Sequence, residues 1–454
     1  FFFKQKTAYE IVDCDWSSDV CSSDLLPVGR GLAYSTHSPS HWLNVPAGRL
    51  GWHPDDEGGF LAWLRAQDRE ASAGAFVPRA RMGEYLGEEL AQAVRRGHRR
   101  GVAWRLLDDE AVDLEPLSRA RHRLRLASGA VLEADAVVLA TGHAPAPPPP
   151  LHGADWGEPG TIVQPWGPQA LDGVPEDGAV LVLGTGLTAV DVVTALQDRG
   201  HAGPLHLLSR RGLLPQPHRT LEARPRLGLS PVAELGDECR LRPILHAVRR
   251  WAREAAAEGR DWRDVMASLR ACTPALWQRL SEADRARFLR HLAPWWDSHR
   301  HRMAPGIHRR IESARQAGGL QVHAGRLQAT ERLPDGRWRV HWTPRGASAS
   351  ALLDVAVVVN CTGVSTALRH ANSALLRGLA ARGTLQPDAL GLGLLTDARL
   401  RPLDGHGQPR PGLFCIGPVL KARHWEAVAI PELRVHAREA ATQVMAALAA
   451  QRTA

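Results

Sequence analysis

Lysine is almost absent from this sequence: of 56 basic residues only Lys4, Lys6 and Lys421 are lysine, and the rest are arginine. Cysteine is scarce as well, with six residues in 454. Beyond residue 25 the four that remain, Cys239, Cys272, Cys361 and Cys415, form no C-x-x-C and no Cys/His zinc spacing, which argues against a structural zinc site and against dithiol redox chemistry. They read as reduced, buried thiols of a cytoplasmic protein. Long apolar runs are missing too. The stretch from Ala179 to Leu196 is interrupted by Gly184, Gly186 and Asp191, and nothing reaches the roughly 18 residues of a membrane span. A soluble chain without a membrane partner is expected. No G-x-S-x-G nucleophile elbow occurs. What is present, 44% hydrophobic and 23% charged residues, excludes a disordered or fibrous chain and suffices for two packed domains.

The few lysines and cysteines are unevenly placed. Lys4, Lys6, Cys14, Cys21 and three of the seven Phe fall within residues 1–25. That segment is expected to stand apart from the fold. It resembles a translated sequencing-adapter read of the kind found at the ends of assembled metagenomic proteins, the alternative being a genuine N-terminal arm. It lacks the apolar core of a signal peptide. Residues 26–454 alone carry 54 basic and 43 acidic side chains, a net charge of +11. Such an excess suits nucleic acid or an acidic membrane. Here the arginines are spread along the chain without a basic tail, so an arginine-rich proteome is the preferred explanation and no nucleic-acid partner is expected.

The most informative stretch runs from Ala179 to Leu196. An apolar strand ends at Leu183, Gly184-Thr185-Gly186 makes a turn, Thr188 and Ala189 follow, and Ala189, Val190, Val193 and Leu196 recur at helical spacing. Glycines at such a turn let the backbone approach a pyrophosphate, and the helix start offers free N–H groups. The next strand, Leu205–Ser209, ends in Ser209, Arg210 and Arg211 where a carboxylate would hold the ribose of NAD. Guanidinium groups suit a 2′-phosphate instead, so NADPH is the expected cofactor, the alternative being two solvated arginines.

A second pattern occurs twice. Leu124–Leu132, with a Ser128-Gly129 turn, reads as a hairpin leading into Asp135-Ala-Val-Val-Leu-Ala-Thr-Gly142. Asp335-Gly336 turns another hairpin, followed by Asp354-Val-Ala-Val-Val-Val-Asn-Cys-Thr-Gly363. Two strands ending in Thr-Gly on either side of a nucleotide turn predict two nucleotide-binding domains.

With the Gly412-Leu-Phe-Cys-Ile-Gly417 strand, this order resembles the two-dinucleotide-domain flavoproteins. More narrowly, Gly29–Ser35, Leu43–Arg49, Trp295–Arg302, Gly417-Pro418, Trp425-Glu426 and Ile430–Arg434 resemble a subfamily that groups FAD-dependent urate-hydroxylase-like proteins with aspartate N-oxidising, nitrosuccinate-forming monooxygenases. The resemblance implies an α/β fold of two Rossmann-like domains with a helical insertion: an artefact-like segment over 1–25, a first FAD-binding part over 26–155, an NAD(P)H-binding domain over 156–363 with the insertion at about 213–315, and a second FAD-binding part over 364–454. It implies that Asn44 and Val45 lie near the flavin ring and Thr141-Gly142 near the FAD crossover. Gly417, Pro418, Ile430 and Pro431 would face the flavin pyrimidine end, where a helix start stabilises negative charge. The strand–glycine–helix opening of such proteins is not found at the front, so this chain is expected to bind FAD poorly and to have lost its first βαβ unit.

Between Arg211 and Gly318, Leu241–Glu258 and Leu276–Leu292 show helical spacing. This insertion is expected to cover the active-site mouth or to form a homo-oligomer contact. His299 and His301 do not share a helix face, so no metal is expected. Trp277, Trp295 and Trp296 read as core or interface anchors. Asp297, Arg300 and Arg302 suit either an anionic substrate or surface ion pairs. The resemblance implies an NADPH-dependent FAD monooxygenase or hydroxylase that takes O2 and a small polar, nitrogen-containing substrate through a flavin C4a-peroxide. The alternatives are an NADPH-linked flavin reductase or oxidase without oxygen insertion, and a non-catalytic nucleotide sensor or scaffold.

Overall fold

The computed structural model describes residues 2–4, 7–10, 29–36, 38–118, 121–167, 169–219, 239–371 and 373–452. Runs of apolar residues without alternation favour strands buried on both faces. Val180–Leu183 and Val357–Asn360 are buried at every position, and they lie side by side and parallel. Leu205–Ser209, Leu320–Arg332 and Thr161–Ile162 extend the parallel array. Trp338–Pro344 and Ala351–Val355 add an antiparallel edge, which completes a seven-stranded sheet. The expected Asp335-Gly336 hairpin is present, with Gly336 in the left-handed region at φ 84°. On one face the Leu187–Asp198 helix packs beside Pro305–Gln316, and Ala189, Val190, Val193 and Leu196 are buried with Ile307 and Ile311.

A five-stranded sheet runs Leu413–Cys415, Val137–Leu139, Phe2–Lys4, Thr7–Glu10, Arg105–Leu107. His122–Leu126 and Val131–Ala134 form the expected hairpin, with Gly129 at φ 88° in its turn, and Ala111–Pro116 adds a third antiparallel strand. Composition sets residues 1–25 apart, yet Phe2–Lys4 pairs parallel to Val137–Leu139. The physical reason is the fully buried Val137–Leu139 strand, whose backbone groups need partners on both edges. Only residues 5 and 6 separate Phe2–Lys4 from its antiparallel neighbour Thr7–Glu10, whereas a parallel neighbour would need a crossover of a dozen or so residues. This position therefore carries a hairpin rather than a βαβ unit. The adapter-like reading otherwise falls on 11–25, outside the described residues.

The helical insertion comprises Leu241–Ala257, Trp262–Arg279, Glu282–His291 and Ala293–Arg300. The single helix expected over Leu276–Leu292 is two, because Ser281 stops the first and caps the second by accepting from the Asp284 amide at 3.2 Å. No helix among the described residues is long and apolar enough to cross a membrane.

One buried ion pair ties the pieces together. Arg79, at the start of the Arg79–His98 helix, donates to both oxygens of Asp191 in the Leu187–Asp198 helix, at 2.6 and 3.2 Å. The two side chains are only 10% and 9% exposed. Burial pushes the Asp191 carboxyl up, and the guanidinium opposes that shift. The Arg79 Nε also donates to the Trp42 carbonyl at 3.1 Å. Removing one partner of such a pair strands a buried charge, so Arg79→Ala should cost about 3–5 kcal/mol in urea unfolding. A loss below about 1 kcal/mol would show that water replaces the guanidinium freely.

Candidate functional site

The nucleotide turn is shaped by two glycines with different duties. Gly184 sits at φ 127°, and a Cβ there would collide with the Cys361 carbonyl oxygen. It is glycine because two strand ends touch. Gly186 has open space around its missing Cβ and stands at the N-cap of Leu187–Asp198 without a side-chain cap. The first N–H groups of that helix thus have no protein oxygen from the cap residue to bond, which is the arrangement an anionic ligand uses. Thr188 is half-buried in the first turn and Ala189 is buried beneath it.

At the tip of Leu205–Ser209 the three expected residues part company. The Ser209 hydroxyl lies 2.9 Å from that of Thr185 and accepts from the Gly212 amide at 3.0 Å, so it holds the turn instead of facing outward. Arg210 is exposed. Arg211 is half-buried and donates to the Arg290 carbonyl at 3.4 Å. The arginines, not the serine, are the groups offered to a ligand.

Both Thr-Gly strands end at one place. Just beyond Gly142 and Gly363, Ala144–Pro145 and Val364–Ser365 pair as a two-stranded antiparallel ribbon. The carboxyl ends of the parallel strands Val137–Leu139 and Val357–Asn360, one in each sheet, are therefore joined, the location where open α/β sheets take ligands. A cleft opens here, lined by Thr141, Gly142, Thr366, Ala367, Pro418 and Val419. Thr141 is buried, and its hydroxyl has no hydrogen-bond partner. Gly142 and Gly417 stand at φ 67° and 87°, with nothing within 4 Å of a Cβ on either. An unpaired buried hydroxyl flanked by two uncrowded glycines is a place prepared for a polar ligand edge.

Of the remaining expected contacts, Val45 and Ile430 come together, packed against the same cluster as Leu43, Ala47 and Leu50. The Asn44 carbonyl lies 2.9 Å from the His218 ring, whose burial lowers its pKa to about 3. Pro431 is half-buried in the first turn of Ile430–Arg452. The arginines flagged in Trp295–Arg302 differ in state. Arg300 is committed to Glu426 through both nitrogens, one of them at 2.8 Å. Arg302 has a buried Nε without a partner, and burial followed by the charges of Arg263, Arg300, Arg219 and Arg49 lowers its pKa to about 10. Trp277 is buried and Trp295 is 43% exposed.

Three further groups stand here to which the sequence reading gave no ligand role. His143, directly after Gly142, is buried to a pKa of about 4 with its Nδ1 unpaired. His301 and Lys421 lie close by. The signal for Lys421 was its isolation, since it is the one lysine after residue 6.

Comparison with known proteins agrees with this geometry. Residues 20–144 match a family model described as FAD-NAD(P)-binding. No curated protein matches the chain in sequence. Among solved structures, the ornithine N-hydroxylase of Kutzneria sp. 744 superposes with a TM-score of 0.56 at 16% identity, covering 91% of this chain and 89% of that one. The L-lysine 6-monooxygenase of Pseudomonas syringae gives 0.58 at 19% identity, covering 89% and 87%. An FAD-bound cadaverine monooxygenase of Erwinia amylovora gives 0.53 at 14% identity, covering 92% and 86%. These likenesses carry the fold, an α/β arrangement of two Rossmann-like sheets.

The residues at the cleft fit a flavin ring edge, with Thr141 supplying an unspent hydroxyl and the two glycines supplying room. Thr141→Val should leave the flavin-free protein as stable or slightly more so, because a lone buried hydroxyl becomes a methyl. It should weaken binding of added FAD about fivefold, the worth of one hydrogen bond of about 1 kcal/mol. Thermal melting and flavin fluorescence titration read the two effects; an unchanged FAD affinity would place the hydroxyl outside the flavin contact.

Proposed function

We propose that the chain is an FAD-dependent, NADPH-using oxidoreductase, a monooxygenase of a small nitrogen-containing substrate. The observation that carries this reading is the ribbon that joins the carboxyl ends of parallel strands from the two sheets. Hydride transfer between two dinucleotides needs their reactive rings side by side, and this ribbon brings two dinucleotide-type sheet ends to one cleft. The structural likeness to amine-hydroxylating enzymes supports the substrate class. The narrower resemblance to aspartate N-oxidising and urate-hydroxylase-like proteins belongs to the same reading, as does the division of the chain at 26–155, 156–363 and 364–454.

In this reading Thr141, Gly142, Gly417 and Pro418 hold the flavin edge, with Asn44, Val45, Ile430 and Pro431 on its neighbouring wall. Gly184, Gly186, Thr188 and Ala189 form the NADPH pyrophosphate turn. Ser209 fixes the loop from which Arg210 and Arg211 reach the 2′-phosphate. FAD, when bound, supplies the redox chemistry and the activation of O2. The protein positions both cofactors, excludes water with the apolar walls around Val45 and Val419, and presents the N-terminal end of Ile430–Arg452 to developing negative charge.

Two experiments test the reading, both with FAD in excess. Arg210→Ala and Arg211→Ala should together raise the apparent KM for NADPH roughly ten- to hundredfold, the scale of charge-assisted phosphate bonds, and leave that for NADH nearly unchanged. Equal effects on both cofactors would remove the phosphate assignment. In the second, NADPH oxidation is followed with L-ornithine, L-lysine, cadaverine and L-aspartate, with mass analysis of the products. Stimulation by one of them with an oxygenated product is expected. Turnover with an artificial electron acceptor and no oxygenated product would favour a plain flavin reductase.

A further inference from the structure

Lys421 is held in place by its own backbone. Its amide donates to the Pro418 carbonyl at 3.1 Å, closing the short helical turn Pro418–Leu420 that borders the cleft. Its ammonium lies 4.3 Å from the centre of the Trp425 ring, and no carboxylate among the described residues comes within ion-pairing distance. Trp425 in turn is clamped by Trp277 and Phe288 of the insertion, with ring centres 4.6 and 5.1 Å away. The cation is thus oriented by an aromatic face and not neutralised by an acid.

Charged groups from several elements surround it. His143 comes from the loop after Thr141-Gly142, Asp297 and His301 from the Ala293–Arg300 helix and its end, and all three feel the Lys421 charge. Arg300 and Arg270 also act on His301, but their guanidinium groups are spent on Glu426 and Glu432. Glu426 acts on Asp297 from Lys421's own loop. The Asp297 side chain remains 58% exposed, and His301 Nε2 stands 3.8 Å from its carboxyl. Asp297 faces solvent, and Lys421, His143 and His301 beside it are half-buried.

We propose that Lys421 is the general base of the reaction, contacting the nitrogen of an amine substrate beside Asp297, His301 and His143. This rests on the amine-oxidation reading above. A protonated amine has no lone pair to offer an oxidant. In the step assigned to Lys421, a substrate R–NH3+ gives one proton to the neutral Lys421 Nζ, leaving R–NH2 with its electron pair and a lysine ammonium over the Trp425 face. No oxidant enters this step. Arginine serves poorly in it, because a guanidinium stays protonated at neutral pH. That is a chemical reason for a lysine at 421 in a chain that uses only arginine as its basic residue between residues 7 and 420.

Burial lowers the Lys421 pKa, and the Asp297 charge opposes that shift. The neighbours titrate elsewhere: burial lowers His143 to about 4 and His301 to about 3, and raises Asp297 to about 6. A rising limb of activity that follows the Lys421 titration therefore belongs to Lys421, and one near pH 6 to Asp297.

The sequence offers a direct probe. With Lys4→Arg and Lys6→Arg, the only lysine left for reductive methylation with 13C-formaldehyde is Lys421, and its resonance can be followed against pH. The expected midpoint lies below the ordinary lysine value of about 10.4, and lower still with Asp297→Asn. The amine that stimulates NADPH oxidation should shift the resonance. In activity, the amine-dependent rate should rise with pH along the same titration, and Lys421→Arg should lose at least about a hundredfold at every pH, the usual worth of a general base. Lys421→Arg keeps a cation on Trp425, so recovery of the wild-type rate and pH profile by that variant would overturn the assignment, as would an ordinary lysine midpoint. If none of the four amines stimulates the wild-type chain, the amine reading fails and the role of Lys421 falls with it. If an amine does stimulate but leaves the Lys421 resonance unmoved, only the Lys421 assignment falls.

Discussion

The bidentate contact between Arg79 and Asp191 constrains more of this structure than any single stretch of backbone. Asp191 sits on the helix that begins at the Gly186 turn, and Arg79 begins the long helix beneath the other sheet. Two charges buried together cannot slide apart without exposing one of them to a medium that does not solvate it. A second arginine works in parallel: Arg310 donates to the Ser40 hydroxyl at 2.7 Å and to the Thr194 carbonyl at 2.9 Å, and pairs with Asp198 at 2.6 Å. The Ser40–Trp42 segment is therefore fastened to the nucleotide-turn helix at both ends. With that helix fixed, the Gly186 N–H groups, the ribbon and the Thr141 cleft keep a set spacing.

Much of this plan was legible because the signals are local. A buried parallel strand, a glycine turn and a helix in register need only neighbouring residues, and the Val180–Asp198 unit forms as its sequence reads. The two hairpins rest on Gly129 and Gly336, whose left-handed backbone is a property of single positions. The paired Thr-Gly strand ends are local too, although that they meet in one ribbon depends on topology that no window of sequence contains.

The rest was hidden by composition. In a chain with so many arginines, sequence cannot say which guanidinium groups are spent. Arg300 and Arg302 are two residues apart, yet one is locked to Glu426 across 126 positions and the other keeps a buried unpaired nitrogen. Ser209 reads as a ribose-end residue, but a hydroxyl beside Thr185 and the Gly212 amide bonds to them first. The break at Ser281 escaped because apolar spacing continues on both sides of it, and only the cap marks the new helix. The pairing of Phe2–Lys4 follows from an open strand edge, a demand set by Val137–Leu139 far away in sequence.

The insertion then takes on a role that a cover over a mouth does not describe. Its Trp277 donates to the Ala422 carbonyl at 3.0 Å and stacks on Trp425, its Arg300 holds Glu426, and its Arg270 holds Glu432 at the start of the last helix. Three residues of the insertion therefore fix the loop from Pro418 to Glu432 from one side, while Pro418 itself lines the cleft from the other. Any displacement of the insertion would move Trp425 and the start of Ile430–Arg452 together. The electrostatic character of this end of the site, a helix start and a lone ammonium facing one carboxyl, is thus set by a helical unit lying outside both sheets. The sheets provide the place, and the insertion decides which charges stand there.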